Sequence, residues 1–159
     1  MAKTAWIDLT LRSAEITDTP EETLRRYLGS RGIAAKTLYD LVGPEVKPFD
    51  PANALIFSTG PLTGTPWPSA ARYTVTAKSP ATQAYGYANS SGFFGPELRK
   101  AGYDMLVIRG KATTPVYLEI EDEKILFHDA GDLWGKMTGE TEEILKLRHP
   151  GCRVAGIGP

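Results

Sequence analysis

Residues 5–12 alternate, with Ala5, Ile7, Leu9 and Leu11 on one side and Trp6, Asp8, Thr10 and Arg12 on the other. Period two predicts a half-buried strand. Thr19-Pro20-Glu21-Glu22 then offers an N-cap, a first-turn proline and a glutamate three residues past the cap. This capping-box pattern predicts a helix running to Gly29. After Gly32 the stripe Ala34, Leu38, Leu41 and Val42 predicts a second helix, stopped by Gly43-Pro44. The run Ala54–Phe57 reads as a buried strand. Gly60 to Pro68 is too rich in proline and glycine for regular structure and reads as a stiff loop. It is either a rigid crossover or a shaped wall of a site. Strands follow at 73–78 and 83–88, then a helix from about Phe93 with Phe94, Leu98 and Ala101 on one face. Three more strands are expected at 105–109, 116–121 and 124–128. The stripe Met137, Thr141, Ile144 and Leu145 marks a last helix, and Arg153–Ile157 is expected to form a strand. Runs of strands with a few helices make the class α+β, with mostly antiparallel packed sheets.

The chain has 159 residues, 42% hydrophobic and 23% charged, enough for one domain burying about 70% of its unfolded surface. It reads as a single unit over residues 1–159. A net charge of −1 gives no broad electrostatic basis for binding nucleic acid or an anionic membrane. No apolar run reaches the length of a membrane span, and no leader pattern opens the chain. The lone cysteine, Cys152, cannot make an intrachain disulfide or a self-contained Cys₄ centre, and a cytoplasmic setting suits it.

Several motifs are missing: GxxxxGK[ST], HExxH, CxxC and GxSxG do not occur. Gly156-x-Gly158 lacks the rest of a dinucleotide fingerprint. His128, His149 and Cys152 could suggest a nucleophile pair, but the histidines read as surface or cap residues, His149 at a helix end. The informative stretch is 69–110. Arg72 leads into one strand, and the next ends before Asn89-Ser90-Ser91-Gly92, where a helix begins. If the short turn 79–82 joins these strands as an antiparallel pair, Arg72 and Asn89 must lie at the same edge. Small polar residues at a helix mouth, beside an arginine, suit an anion such as phosphate. A plain N-cap by Ser90 or Ser91, with Arg72 solvated, explains the same residues, and the pattern alone leaves both readings open. Tyr85 and Tyr87 read as core.

Gly29-Ser30-Arg31-Gly32, Gly60-Pro61-Leu62-Thr63-Gly64-Thr65, Arg72-Tyr73-x-Val75, Lys78-Ser79-Pro80, Ala88-Asn89-Ser90, Phe94-Gly95-Pro96-Glu97-Leu98 and Ala101-Gly102-Tyr103-Asp104 occur in that order. This series, continued by Arg109-Gly110-Lys111-Ala112 and Gly156-Ile157-Gly158-Pro159, resembles the N-terminal domain of the tungsten-containing aldehyde ferredoxin oxidoreductases. The resemblance implies a base of packed sheets for a bis-pterin tungsten or molybdenum cofactor. It implies cofactor binding by Arg72, Asn89, Ser90, Ser91 and Gly92, with the main-chain carbonyl of Asn89 on a magnesium ion that bridges the pterin phosphates. A [4Fe–4S] cluster, its cysteines and the proton-handling groups belong to later domains, so no catalytic residue is assigned in this chain. The implied activity is oxidation of aldehydes to carboxylates, with electrons passed to ferredoxin or a similar carrier. The implied partners are the remaining domains or subunit of the enzyme. Alternatives are a related enzyme such as an aromatic thioester reductase, or a non-enzymatic cofactor-docking subunit. Alanines stand at 70 and 71, and Ser91 stands where the family commonly has glycine. The family also continues beyond the Gly-Ile-Gly-Pro segment, so the chain reads as one domain of a longer enzyme or a separate subunit.

Overall fold

The computed structural model describes residues 2–159. Strand β1 (Lys3–Asp8) turns back into β2 (Ser13–Asp18). The sequence pattern missed this turn because the apolar alternation runs through it without glycine or proline. The Asp8 carboxylate makes the turn instead, accepting the N–H groups of Thr10 and Leu11 at 2.8 and 2.9 Å. Helices α1 (Glu21–Tyr27) and α2 (Ser30–Leu41) follow. The expected capping box does not form. Thr19 Oγ1 lies 2.9 Å from Thr4 Oγ1, so its hydroxyl is spent across the sheet, and Pro20 stands at the N-cap. Helix α1 ends two residues early, where Leu28 (φ 64°) and Gly29 (φ 143°) turn the chain directly into α2. Helix α2 thus starts ahead of Gly32, and Ile33, Ala34 and Leu38 form its buried stripe.

Strands β3 (Leu55–Thr59), β4 (Tyr73–Lys78) and β5 (Tyr85–Ser90) lead to α3 (Phe94–Lys100) and β6 (Met105–Arg109). The hairpin β7 (Val116–Glu121) and β8 (Lys124–Asp129) precedes α4 (Thr138–Arg148). Six strands form one sheet in the order β2-β1-β6-β3-β4-β5, in which only the β1–β6 pair is parallel. The fold is α+β: a mixed six-stranded sheet, a separate hairpin and four helices. On one face, Ile33, Ala34 and Leu38 of α2 pack on Ile56, Met105 and Val107, with Trp6 of β1 beside them. On the other, Ala5, Ile7, Leu98, Tyr103 and Leu106 form a second core closed by Phe57, Phe94 and the hairpin residues Leu118 and Phe127. Strand β1 is therefore covered on both faces, not half-buried. Residues 153–157 form no strand, because no sheet edge pairs with them among the described residues, and Ile157 is exposed.

Candidate functional site

The β4–β5 hairpin fixes the geometry. Ser79 and Ala84 close its turn with a 2.8 Å backbone bond, and the register pairs Tyr73 with Ser90 and Thr74 with Asn89. Arg72, one residue before β4, therefore comes beside Asn89, 17 positions away, and its Nη1 donates to Asn89 Oδ1. The convergence expected from the turn is present. Asn89 Nδ2 in turn donates to Tyr87 Oη at 2.8 Å. The Arg31 guanidinium lies over the Tyr87 ring, 5.0 Å from its centroid. Four side chains from α2, β5 and the start of β4 thus form one continuous chain of contacts.

The Gly60–Pro68 loop holds the backbone of Arg72. Buried Thr63 donates its hydroxyl to the Arg72 carbonyl at 2.8 Å while accepting Gly60 N–H at 3.0 Å. Gly95 of α3 allows close approach from the other side. A Cβ there would stand 3.2 Å from the Ala71 carbonyl oxygen and 3.3 Å from Tyr73 Cβ. The loop is more than a crossover, since it sets where Arg72 leaves the chain.

Three readings of the β5–α3 junction fail. Asn89 and Ser90 belong to β5 and not to a turn, and neither Ser90 nor Ser91 caps α3, whose N-cap is Phe93 without a side-chain bond. Ser90 Oγ donates instead to the Ser91 carbonyl at 3.4 Å. Nor does Arg72 face the mouth of α3. Cross-strand partners share a sheet face, and Thr74, the partner of Asn89, bonds Ser58 and Ser30 at 2.7 and 3.4 Å on the α2 side. Phe94 of α3 packs on Phe57 and Tyr73, across the sheet. Tyr85 and Tyr87 are 42% and 43% exposed, not core, because β5 is an edge strand. Gly92 has φ 95° and open space where a Cβ would be, so its glycine serves conformation and not clearance.

Among the described residues, neither Arg31 nor Arg72 has an acidic partner within 4 Å, whereas Arg25, Arg26, Arg99 and Arg148 do. Two guanidinium groups without an acidic partner, on the sheet face that also carries the Asn89 amide, are a donor set suited to a phosphate-bearing group. As an edge strand, β5 also leaves one alternate set of carbonyls without a neighbouring strand, the kind of oxygen a magnesium ion takes. The residues present fit such a cofactor. Arg31 lies beside this edge although the sequence pattern does not connect it with Arg72. It belongs to Gly29-Ser30-Arg31-Gly32, and only the packing of α2 on β4, with Arg31 over Tyr87, brings that segment to Arg72.

The histidines are half-buried partners in a second network, not isolated surface groups. Glu119 takes His128 Nε2 at 2.6 Å on one oxygen and His149 Nδ1 at 2.8 Å on the other. His149 Nε2 lies 3.0 Å from Tyr117 Oη. His149 is also the C-cap of α4, as its sequence position suggested. Burial raises the Cys152 thiol above its ordinary range, and its Sγ donates to the Leu145 carbonyl at 3.8 Å. With both His149 nitrogens engaged elsewhere, no histidine–thiolate pair is assembled.

Comparison with known proteins agrees with this architecture. The family described as aldehyde ferredoxin oxidoreductase, N-terminal domain, matches residues 4–159. The tungsten-containing aldehyde ferredoxin oxidoreductase of Pyrococcus abyssi is 48% identical over 141 residues, covering 87% of this chain and 23% of that protein. Its counterpart in Pyrococcus furiosus is 43% identical over 155 residues, covering 96% of this chain and 26% of that protein. Among solved structures, the active-site complex BamBC of benzoyl coenzyme A reductase, in complex with 1,5 dienoyl-CoA, superposes with a TM-score of 0.96 at 43% identity. That match covers 99% of this chain and 24% of the other. The chain thus spans about a quarter of the length of these relatives.

Proposed function

The chain belongs to the aldehyde ferredoxin oxidoreductase family as its N-terminal domain, and from that membership we propose that the Arg72–Asn89 edge binds the phosphate-bearing part of a bis-pterin tungsten or molybdenum cofactor. The whole enzyme, on this reading, oxidises aldehydes to carboxylates and delivers electrons to ferredoxin or a similar carrier. When bound, the metal centre supplies the oxygen and two-electron chemistry. This chain's residues bind and orient. Arg72 offers a fork of N–H donors to phosphate oxygens, held in place by the Thr63 hydroxyl on its carbonyl and by Asn89 on its guanidinium. Ser90, Ser91 and the backbone around Gly92 add polar contacts, and the Asn89 carbonyl is the proposed magnesium ligand.

One observation supports this most: an arginine without an acidic partner is brought, from 17 residues away, onto an exposed amide and hydroxyl edge. In the full-length enzyme, Arg72→Ala should lower tungsten or molybdenum content and pterin content together. Truncating one partner of a desolvated charge pair costs about 2–5 kcal/mol, at least a thirtyfold loss of affinity. Arg72→Lys should restore only part, since an ammonium cannot reproduce the fork. Metal analysis of purified variants decides it, and an alanine variant with its full metal complement would reject the assignment.

A second reading concerns the substrate. Identity to the benzoyl coenzyme A reductase chain equals that to the Pyrococcus furiosus aldehyde enzyme, at 43%. The same cofactor edge would also suit a reductase of aromatic thioesters, and assays with an aldehyde and with an aromatic acyl thioester separate the two.

A further inference from the structure

We propose that Arg31 is a second phosphate-binding cation of this edge, positioned by the ring of Tyr87, so that two guanidinium groups hold the cofactor from neighbouring places on one sheet face. The inference rests on the reading of Arg72 above. Tyr87 and Asn89 are two residues apart on β5 and point to the same face, about 7 Å along the strand. Arg72 is bonded to Asn89, and the Arg31 guanidinium lies over the Tyr87 ring. The Asn89–Tyr87 hydrogen bond of 2.8 Å joins the two halves. The ring face attracts the cation without accepting its N–H groups as a carboxylate would, which leaves N–H groups of Arg31 available to a phosphate. With no acidic partner for Arg31 or Arg72 within 4 Å among the described residues, the two cations leave local positive charge unbalanced in a chain of net charge −1. A multiply charged phosphate group lying across Tyr87 and Asn89 would balance both.

The residues before Arg31 support a fixed position. The Ser30 and Thr74 hydroxyls lie 3.4 Å apart, and a Cβ on Gly29 would come within 3.3 Å of Pro61 and 3.4 Å of the Thr59 carbonyl, so the start of α2 sits close to the loop that holds Arg72. Arg31 and Arg72 are therefore referenced to one scaffold, not to two mobile surfaces.

The test uses the full-length enzyme, prepared loaded for metal and pterin analysis and cofactor-free for titration with inorganic pyrophosphate. Losing one charge-assisted contact should weaken pyrophosphate binding about tenfold or more in Arg31→Gln. It should also lower metal content, while the unfolding midpoint of the cofactor-free protein stays within about 2 °C. Arg31→Lys should be intermediate, and Tyr87→Ala should reproduce the loss whereas Tyr87→Phe, which keeps the ring, should retain most of the binding. If Arg31→Gln binds pyrophosphate like the parent while Arg72→Ala does not, the role of Arg31 is rejected and the cofactor edge stands. If neither substitution changes pyrophosphate binding or metal content, the edge itself is wrong. A lowered unfolding midpoint with unchanged pyrophosphate affinity would assign Arg31 to the scaffold and overturn the proposal.

Discussion

Tyr103 is wholly buried, yet among the described residues its hydroxyl has no hydrogen-bond partner. An unsatisfied buried hydroxyl costs about 1–3 kcal/mol, so Tyr103→Phe should raise stability by about 1 kcal/mol, or roughly 3 °C in unfolding midpoint. Burial also raises the phenol's pKa above its ordinary value. A phenol whose pKa is higher in the folded state gives stability that is complete below about pH 10 and lost as pH rises further. The phenylalanine variant should therefore resist alkali better than the parent. Unfolding scans between pH 8 and about pH 11 test both statements, and a destabilised variant with an unchanged alkaline limb would refute them. The contrast with Arg72 is instructive. Both are fixed by their neighbours, but Arg72 carries its unused donors to the surface, where a ligand can reach them.

At the scale of elements, the junction of α1 and α2 decides where Arg31 stands. A Cβ on Gly32 would sit 2.3 Å from the carbonyl oxygen of Tyr27, the last residue of α1. Backbone would have to move to admit it. Gly32→Ala should cost about 1–3 kcal/mol or more, and it should reduce metal content by shifting the adjacent Arg31. Gly92→Ala is the comparison, because nothing lies within 4 Å of a Cβ there and only the left-handed backbone, at about 1–2 kcal/mol, opposes it. Denaturant unfolding should rank the two, and a Gly32 variant as stable as the parent would contradict the packing argument. The same close approach explains why α2 begins before Gly32 although glycine usually marks an end. Its missing side chain makes room for another helix, and a sequence pattern cannot distinguish that use from a stop.

The whole molecule exposes 9793 Å², against about 7,800 Å² for a compact monomer of this mass. Large apolar side chains contribute beside the Arg72 edge, with Trp67 66% and Phe93 65% exposed around a groove floored by Ala70, Ala71 and Pro96. Leu62 is exposed in the loop that carries Trp67, and Tyr87 is exposed on the adjoining edge strand. The relatives are about four times longer, and the proposal that their further domains cover this surface has a direct consequence. Backbone amides in 60–71 and 90–93 should exchange hydrogen more slowly in the full-length enzyme than in the 159-residue chain by itself, while those of β1 and β6 should change little. Equal exchange at 60–71 in the two proteins would leave the apolar end without a cover.

By itself the sequence determined the elements with strong periods: β4 and β6 at their observed bounds, the apolar stripe of α2, and the stiff loop before Arg72. It also determined that Arg72 and Asn89 meet, because a short turn between two strands leaves no other antiparallel outcome. Tertiary structure decided what each group was free to do. Thr19 is a good cap by type, but its hydroxyl is used by Thr4 across the sheet. Tyr85 and Tyr87 read as core until the strand order places β5 at an edge. His149 and Glu119, and likewise Arg31 and Tyr87, are distant in sequence and carry no shared period. Periodicity reports which side of its own element a residue faces. Which element lies opposite is set by long-range packing, and that choice assigned Arg72 to the face of α2 and not to the mouth of α3.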